Sequence, residues 1–245
     1  MISIFILLLL SHALADFVFQ SGRLYQWKVK SVWGIVVHVF IFGIIATWLT
    51  WPMVTSYWIF WVWWALAAGA HFIIDKIKLV THSSTIQDEI KAFSIDQLSH
   101  IAVLLTVFLL PIPPIEGWIR NASWLSMFIG RCPFFESWPQ LKLTLIIVFL
   151  GIYATYAIAV IVYYYDRMVS PTLKRLQYRA GSMLYRLAIF GLLISSYRWV
   201  IVFIMVIHVM RDKRRLIYDQ RRFLIEYALL FGLWFIFEVM KRSLL

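Results

Sequence analysis

The sequence predicts an all-α polytopic membrane protein, a helix bundle of six or seven spans with one re-entrant helical hairpin. Of the 245 residues, 62% are hydrophobic and only 14% are charged, whereas a soluble domain needs about 25% charged residues to cover its surface. Apolar stretches that approach or exceed the roughly 18 to 20 residues of a membrane crossing recur along the whole chain. The basic residues, which give a net charge of +11, lie in short loops between these stretches. This distribution is typical of membrane insertion and argues against nucleic acid as a partner.

Residues 1–112 are predicted to form a core of four spans that carries histidines and aspartates. The N-terminal stretch lacks the basic start of a signal peptide and is interpreted as the first span. A basic loop follows it, and an uncharged turn at Pro52, flanked by tryptophans, separates the second and third spans. The predicted spans are 2–20, 31–49, 56–75 and the stretch from Asp96 to the prolines that begin at Pro111.

Residues 113–140 are predicted to form an external loop with an interfacial segment rich in Trp and Phe. Residues 141–245 would then hold a fifth span over 141–165, a basic loop, a hairpin over 184–210 and a last span over 223–240. The hairpin is predicted because a single crossing would place the basic residues that follow Met210 outside, and because Gly191 and Ser195 interrupt the apolar run.

The loops after spans one, three and five contain three, three and four Lys or Arg residues. The alternate loops contain Arg120 and Arg131, with Lys142 at the start of span five. Because basic loops stay in the cytoplasm, this asymmetry predicts an external N-terminus.

Three pairs of histidine and aspartate lie four residues apart inside the predicted spans, so the members of each pair share a helix face. Histidine comes first in spans one and three, which run inwards, and aspartate comes first in span four, which runs outwards. The carboxylates are therefore predicted near the cytoplasmic ends with the imidazoles deeper, and the histidine of span two falls at the same depth. The seven residues are His12, Asp16, His38, His71, Asp75, Asp96 and His100.

Imidazole and carboxylate groups are the ligands of zinc, manganese and iron, and these seven could hold one or two ions, with zinc or manganese preferred. Cys132 is the only cysteine, which excludes a cysteine-rich zinc site. A divalent ion activates water and can clamp a phosphoryl oxygen. The predicted catalytic carboxylates are Asp16, Asp75 and Asp96, and the predicted substrate-binding residues are Gln20, Lys76 and Gln97.

The alternative interpretation is structural: each histidine–aspartate pair only forms hydrogen bonds between helices. Three pairs and a fourth histidine at one depth favour a common site, because ionisable groups in a membrane are costly and usually functional. The residues leave open whether that site binds a metal or relays protons.

Three segments carry a family resemblance: His12-Ala-Leu-Ala-Asp16-Phe-Val-Phe-Gln20, His71-Phe-Ile-Ile-Asp75-Lys76 and Asp96-Gln97-Leu-Ser-His100. They resemble the bacterial membrane family known as domain of unknown function 3307. The resemblance covers the first hundred residues well and extends loosely to 181–194 and 226–227. It departs at Tyr185, where an acidic residue is expected, and at the two serines from Ser195 onwards. It implies a helical fold, a bacterial inner-membrane location and the positions of the site, but no activity.

The leading hypothesis is a metal-dependent hydrolase that acts at the cytoplasmic membrane face on a phosphate-containing or lipid-linked substrate. One alternative is an ion or proton-coupled transporter that uses the same residues. Another is a non-enzymatic anchor or sensor whose basic loops dock a cytosolic protein or anionic lipid. The lipid bilayer is a partner in all three, and the sequence specifies neither the oligomeric state nor whether the chain is an enzyme.

Overall fold

The computed structural model describes residues 2–80, 85–112, 138–169, 180–195 and 217–244. Every regular element in these ranges is a helix and none is a strand, which confirms the all-α prediction. The helices divide into two compact units, Met1–Phe149 and Leu150–Leu245.

The first unit is built around four helices that contact one another in a closed order. Helix α1 contacts α3, α3 contacts α5, α5 contacts α6, and α6 returns to α1. A four-helix bundle of this kind places one face of each helix in a shared core. The elements are α1 (Ile2–Ala13), a π-helical segment (Leu14–Val18), α2 (Gly22–Lys30), α3 (Val32–Leu49), α4 (Trp51–Ser56), α5 (Trp58–Val80), α6 (Ile86–Leu105) and a 3₁₀ turn (Thr106–Leu109).

The loop predicted after the first span is wrong, because residues 22–30 form helix α2. This helix is bent by 90° from the first span. Ser21 caps the N-terminus of α2 by accepting a hydrogen bond from the backbone N–H of Leu24 at 3.2 Å. Ser31 follows the last residue of α2 and caps α3 by accepting a hydrogen bond from the backbone N–H of Trp33. Serine satisfies the free amides of a helix N-terminus, so the two serines delimit α2.

Helix α2 folds back against α3 at Gly34. A Cβ atom at this position would lie 2.3 Å from the backbone carbon of Trp27 and 2.4 Å from the backbone nitrogen of Lys28. Only glycine permits so close an approach of two backbones. The glycine therefore fixes where the last turn of α2, which carries Lys28, meets the bundle.

Helices α5 and α6 are longer than the predicted spans. Helix α5 continues through Lys78 to Val80, and α6 begins ten residues before Asp96, at Ile86, where Thr85 caps it. The tryptophan-flanked turn at Pro52 is the short helix α4. The polar residues at the C-terminal end of α5 and the N-terminal end of α6 are therefore helical, whereas the sequence predicts a loop there.

The second unit is described through α8 (Ile158–Val169), α9 (Ala180–Ile194) and α10 (Ile217–Leu244). Helix α7 (Trp138–Ile152) crosses the boundary and continues through a π-helical segment, Tyr153–Ala157, into α8. Helix α10 packs against α8 and α9.

Several helices are compatible with insertion into a membrane. Among the described residues, four are long and apolar enough to cross one, or five if α1 and α2 are counted as one broken span. The four are Val32–Leu49, Trp58–Val80, Asp88–Leu109 and Leu143–Met168. Helix α9 covers residues 184–194 of the predicted hairpin. The rest of that hairpin, most of the external loop and most of the basic loop after span five lie outside the described residues, so the hairpin stays a prediction. The count of six or seven spans stays a prediction.

A buried ion pair joins α9 to α10. Nη2 of Arg186, a residue only 3% exposed, donates to Oε1 of Glu226 at 2.9 Å, and its Nη1 donates to the carbonyl of Thr155 at 3.4 Å. Arg222 approaches the same carboxylate at 3.8 Å and Asp166 at 3.5 Å. A buried guanidinium is tolerated only when it is paired, so this contact specifies how the two helices meet.

Replacing Glu226 with glutamine should destabilise the protein by about 2 to 3 kcal/mol, because Arg186 would keep its buried charge and lose the carboxylate. Adding Arg186→Met should recover part of the loss, because no unpaired charge then remains. Chemical unfolding of the detergent-solubilised protein, followed by its helical circular dichroism, measures both values. A single variant as stable as the wild type, or a double variant less stable than the single one, would contradict this account.

Candidate metal centre

Each of the four bundle helices contributes one buried histidine to the same point in the core. The imidazole rings are in mutual contact: His12 stacks on His100 with centroids 4.6 Å apart, and His71 lies 4.2 Å from His100 and 5.1 Å from His38. All four residues are at most 2% exposed. The structure thus brings together four residues that are far apart in the chain.

Asp16 enters this cluster from the π-helical segment that follows α1. A π-helical turn contains more residues than an α-helical one, so it changes the direction in which the following side chains point. Oδ1 of Asp16 lies 3.1 Å from Nε2 of His38 and 3.8 Å from Nε2 of His71. Single π-helical turns are frequent at functional sites, and this one places a carboxylate between two histidines.

The first potential ligand group is Asp16, His38 and His71. The Nε2 atoms of His38 and His71 are 3.1 Å apart, so the three ligand atoms are separated by 3.1, 3.1 and 3.8 Å. Four ligands arranged tetrahedrally around zinc at 2.0 to 2.1 Å lie about 3.3 Å from one another. The spacing of the three atoms therefore fits a shared cation.

The second group is His12, His71 and His100. Nδ1 of His100 donates to the backbone carbonyl of Asp96 at 2.8 Å. Because a carbonyl can only accept, this bond leaves the lone pair on Nε2, which finds no hydrogen-bond partner among the described residues. Within the same part of the chain, neither ring nitrogen of His12 has one either. A bond from the outer nitrogen to a carbonyl is how metal-binding histidines are usually oriented.

The third group is Asp75, Asp96 and His100, and it differs from the others because two lysines already contact its carboxylates. Nζ of Lys28 lies 2.9 Å from Oδ2 of Asp75, and Nζ of Lys78 lies 2.6 Å from Oδ2 of Asp96. The carboxylates of this group are thus partly neutralised by the protein's own ammonium groups.

The residues predicted to bind substrate have different surroundings. Gln97 is buried, and its Nε2 lies 3.3 Å from Asp16 and 3.2 Å from Asp96, so it bridges two carboxylates. The side-chain oxygen of Gln20 accepts from Lys28 at 2.8 Å, which orients the lysine. Lys76, predicted to meet an anion, has an exposed side chain.

Sequence reasoning missed Lys28, which is 6% exposed and reaches Asp75 from the last turn of α2. The sequence predicts a loop here because the charged residues from Arg23 onwards interrupt the apolar pattern of the first span. A capping serine at Ser21 followed by a short amphipathic run was the signal for a helix there. Because α2 packs back against α3, the side chain of Lys28 reaches Asp75 in the bundle.

A family model described as "Protein of unknown function (DUF3307)" matches residues 4–127, just over half of the chain. The matched region contains all seven histidines and aspartates of the cluster, together with both lysines. Searches of curated proteins and of solved structures find no match.

Proposed function

Because the chain belongs to the DUF3307 family of unknown function, its activity must be inferred from the site, and we propose that it is a metal-dependent membrane hydrolase. In this proposal the cluster binds zinc or manganese and acts at the cytoplasmic membrane face, on a substrate that contains phosphate or is linked to a lipid. The basic residues near the predicted cytoplasmic ends of the first four helices support the orientation.

The observation that carries the proposal is the convergence of buried electron-pair donors. Nε2 of His38, Nε2 of His71 and Oδ1 of Asp16 lie within 3.8 Å of one another. Nε2 of His100 contributes a lone pair without a hydrogen-bond donor in the described part of the chain. Such a concentration of acceptors in a bundle core is costly unless protons or a metal ion are shared among them. A divalent metal ion is proposed because these are ligand types that zinc and manganese accept.

The same geometry supports a division of roles among the carboxylates. Asp16 and Asp96 are the carboxylates that Gln97 bridges. Oδ2 of Asp75 lies 3.5 Å from Nε2 of His38 and 3.6 Å from Nε2 of His71. Asp75 is therefore within reach of a water molecule in the first ligand group and is the proposed general base. A bound metal would polarise that water and a phosphoryl oxygen.

The lysines support an anionic substrate. Lys28 and Lys78 contact Asp75 and Asp96, whereas Lys76, for which this role was predicted from the sequence, is exposed. An ammonium group is a compact charge with three donors that suits phosphate. In the proposed mechanism the anion-binding role passes from Lys76 to Lys28 and Lys78.

Proton-coupled transport is the second candidate, because the direct contact between His38 and His71 could relay a proton. A transporter also needs polar groups that continue towards the other membrane face. Within the residues that the structure describes, the buried positions beyond the histidines include Leu8, Phe60 and Trp63, and the Trp63 indole is satisfied by Thr106 at 2.8 Å. The buried hydroxyls of Ser11 and Thr50 donate to carbonyls of their own helices, so they do not extend the cluster as a proton path.

Elemental analysis of the purified full-length protein tests the metal centre. We expect at least one zinc or manganese ion per chain, removal of that ion by a chelator, and its uptake again when metal is added. A protein that contains no metal and takes up neither zinc nor manganese would contradict the proposal.

Hydrolysis is tested separately with the metal-loaded protein in vesicles that contain phosphatidic acid or phosphatidylglycerol, a phosphate monoester and a phosphodiester. We expect release of phosphate or of the headgroup from at least one lipid, and loss of this activity in Asp75→Asn. A metal-loaded protein inactive on both lipids would contradict hydrolysis of these esters and would favour the transport candidate.

A further inference from the structure

We propose that the cluster binds one divalent ion and that Lys28 and Lys78 occupy, as built-in cations, the position of a second ion. This inference rests on the proposed metal centre and specifies its stoichiometry and the way in which it would hold an anion.

The starting point is that the ligand groups of the cluster are not equivalent. The groups Asp16–His38–His71 and His12–His71–His100 share His71 and contain unpartnered imidazole nitrogens of His12 and His100 in the described region. In the third group, Nδ1 of His100 is already committed to a backbone carbonyl. The unpartnered nitrogens of His12 and His100 both belong to the second group, and each carboxylate of the third group contacts a lysine, so the first two groups can act together on one ion.

The negative charge of Asp75 and Asp96 in the third group is balanced by Lys28 and Lys78. The Lys28 ammonium is almost fully buried at 2.9 Å from Asp75, whereas Lys78 is about one third exposed at 2.6 Å from Asp96. Lys28 receives a second orienting contact from Gln20. A buried ammonium with a carboxylate and an amide oxygen as acceptors is a fixed structural charge.

The charge balance favours one ion. The three carboxylates carry three negative charges and the two ammonium groups carry two positive charges, which leaves one negative charge when the histidines are neutral. One divalent ion changes this sum to one positive charge, which suits an anionic ligand. A second ion would raise it to three positive charges within a buried cluster, and uncompensated buried charge is costly.

The arrangement implies how a phosphate group would be held. Two-metal sites clamp a phosphoryl group between two cations. Here Asp75 contacts Lys28 and also lies 3.5 to 3.6 Å from the imidazoles of the first ligand group. A phosphate anion could therefore be held between the single ion on one side and the lysine ammonium groups on the other.

The test is metal stoichiometry measured by elemental analysis after equilibration with zinc, in the wild type and in Lys28→Met/Lys78→Met. We expect one ion per chain in the wild type and two in the double variant, because Asp75 and Asp96 then become available as ligands. Lys76→Met is the matched control, since it removes an exposed lysine from the same helix as Lys78, and it should retain one ion.

Two ions in the wild type would overturn the inference, and so would one ion in a folded double variant. Electron paramagnetic resonance of the manganese-loaded wild type distinguishes one bound ion from two, even if the double variant does not fold. An isolated six-line signal is expected, and a spin-coupled manganese pair would overturn the inference. A wild type that binds no metal would instead remove the proposed function itself.

Discussion

Replacing His71 with alanine should lower the affinity for zinc or manganese by at least about a thousandfold, equivalent to about 4 kcal/mol. His71 belongs to two of the three ligand groups found among the described residues, and it contacts the rings of the other three clustered histidines. Its loss therefore removes a ligand from the first group and from the second at once. Even a residue that only orients a ligand contributes about 10- to 100-fold to metal affinity, so a shared ligand should contribute more.

Metal affinity of the chelator-stripped protein, measured by competition with a zinc indicator, checks this expectation. Trp63→Phe is the matched control, because Trp63 is buried on the same helix about two turns earlier and donates to Thr106 instead of the cluster. It should bind metal as the wild type does. If His71→Ala retained wild-type affinity while folded, the cluster could not be the metal site.

Gly34→Ala should destabilise the protein by about 3 kcal/mol or more and displace α2. The new Cβ would lie 2.3 Å from a backbone atom of Trp27, and a backbone cannot rotate away as a side chain can. Overpacking usually costs about 1 to 3 kcal/mol where side chains can adjust, so a backbone clash belongs at or above the upper end of that range. Displacement of α2 should also separate Lys28 from Asp75.

Two measurements follow the change, namely chemical unfolding in detergent and the rate of tryptic cleavage after Lys28, which should increase. Gly69→Ala is the control, since nothing lies within 4 Å of a Cβ placed at this position in α5. It should be neutral or stabilising by up to about 1 kcal/mol, because alanine is the better helix former. Equal effects of the two substitutions would show that α2 does not depend on the close approach at Gly34.

The histidines and aspartates could be grouped from the sequence because two simple rules apply to them. Spacing by four places both members of a pair on one helix face, and alternating span direction accounts for the reversed order of Asp96 and His100. The observed contact between His12 and His100 joins two residues that these rules place at one depth, and the contact between Asp16 and His38 joins the carboxylate layer to the imidazole layer. Whether the group binds metal does not follow from either rule.

Helix α2 and the role of Lys28 could not be predicted in the same way. The apolar pattern indicates where a span ends, but not that the following chain turns by 90° and packs back on α3. The π-helical segment around Asp16 also leaves no mark in the apolar pattern. Tertiary contacts set the position of α2, which is why the sequence predicts a loop at Lys28 and not a buried ion pair with Asp75.

The closed ring of four helices has a consequence for biosynthesis. Because one histidine comes from each helix, and the last of them is His100, a growing polypeptide cannot assemble the complete set of imidazoles before α6 has left the ribosome and docked against α1. Until then, His12 and Asp16 lack their final neighbours from α3, α5 and α6. Capture of a cation by the finished ring would therefore come only after the first half of the chain has been folded.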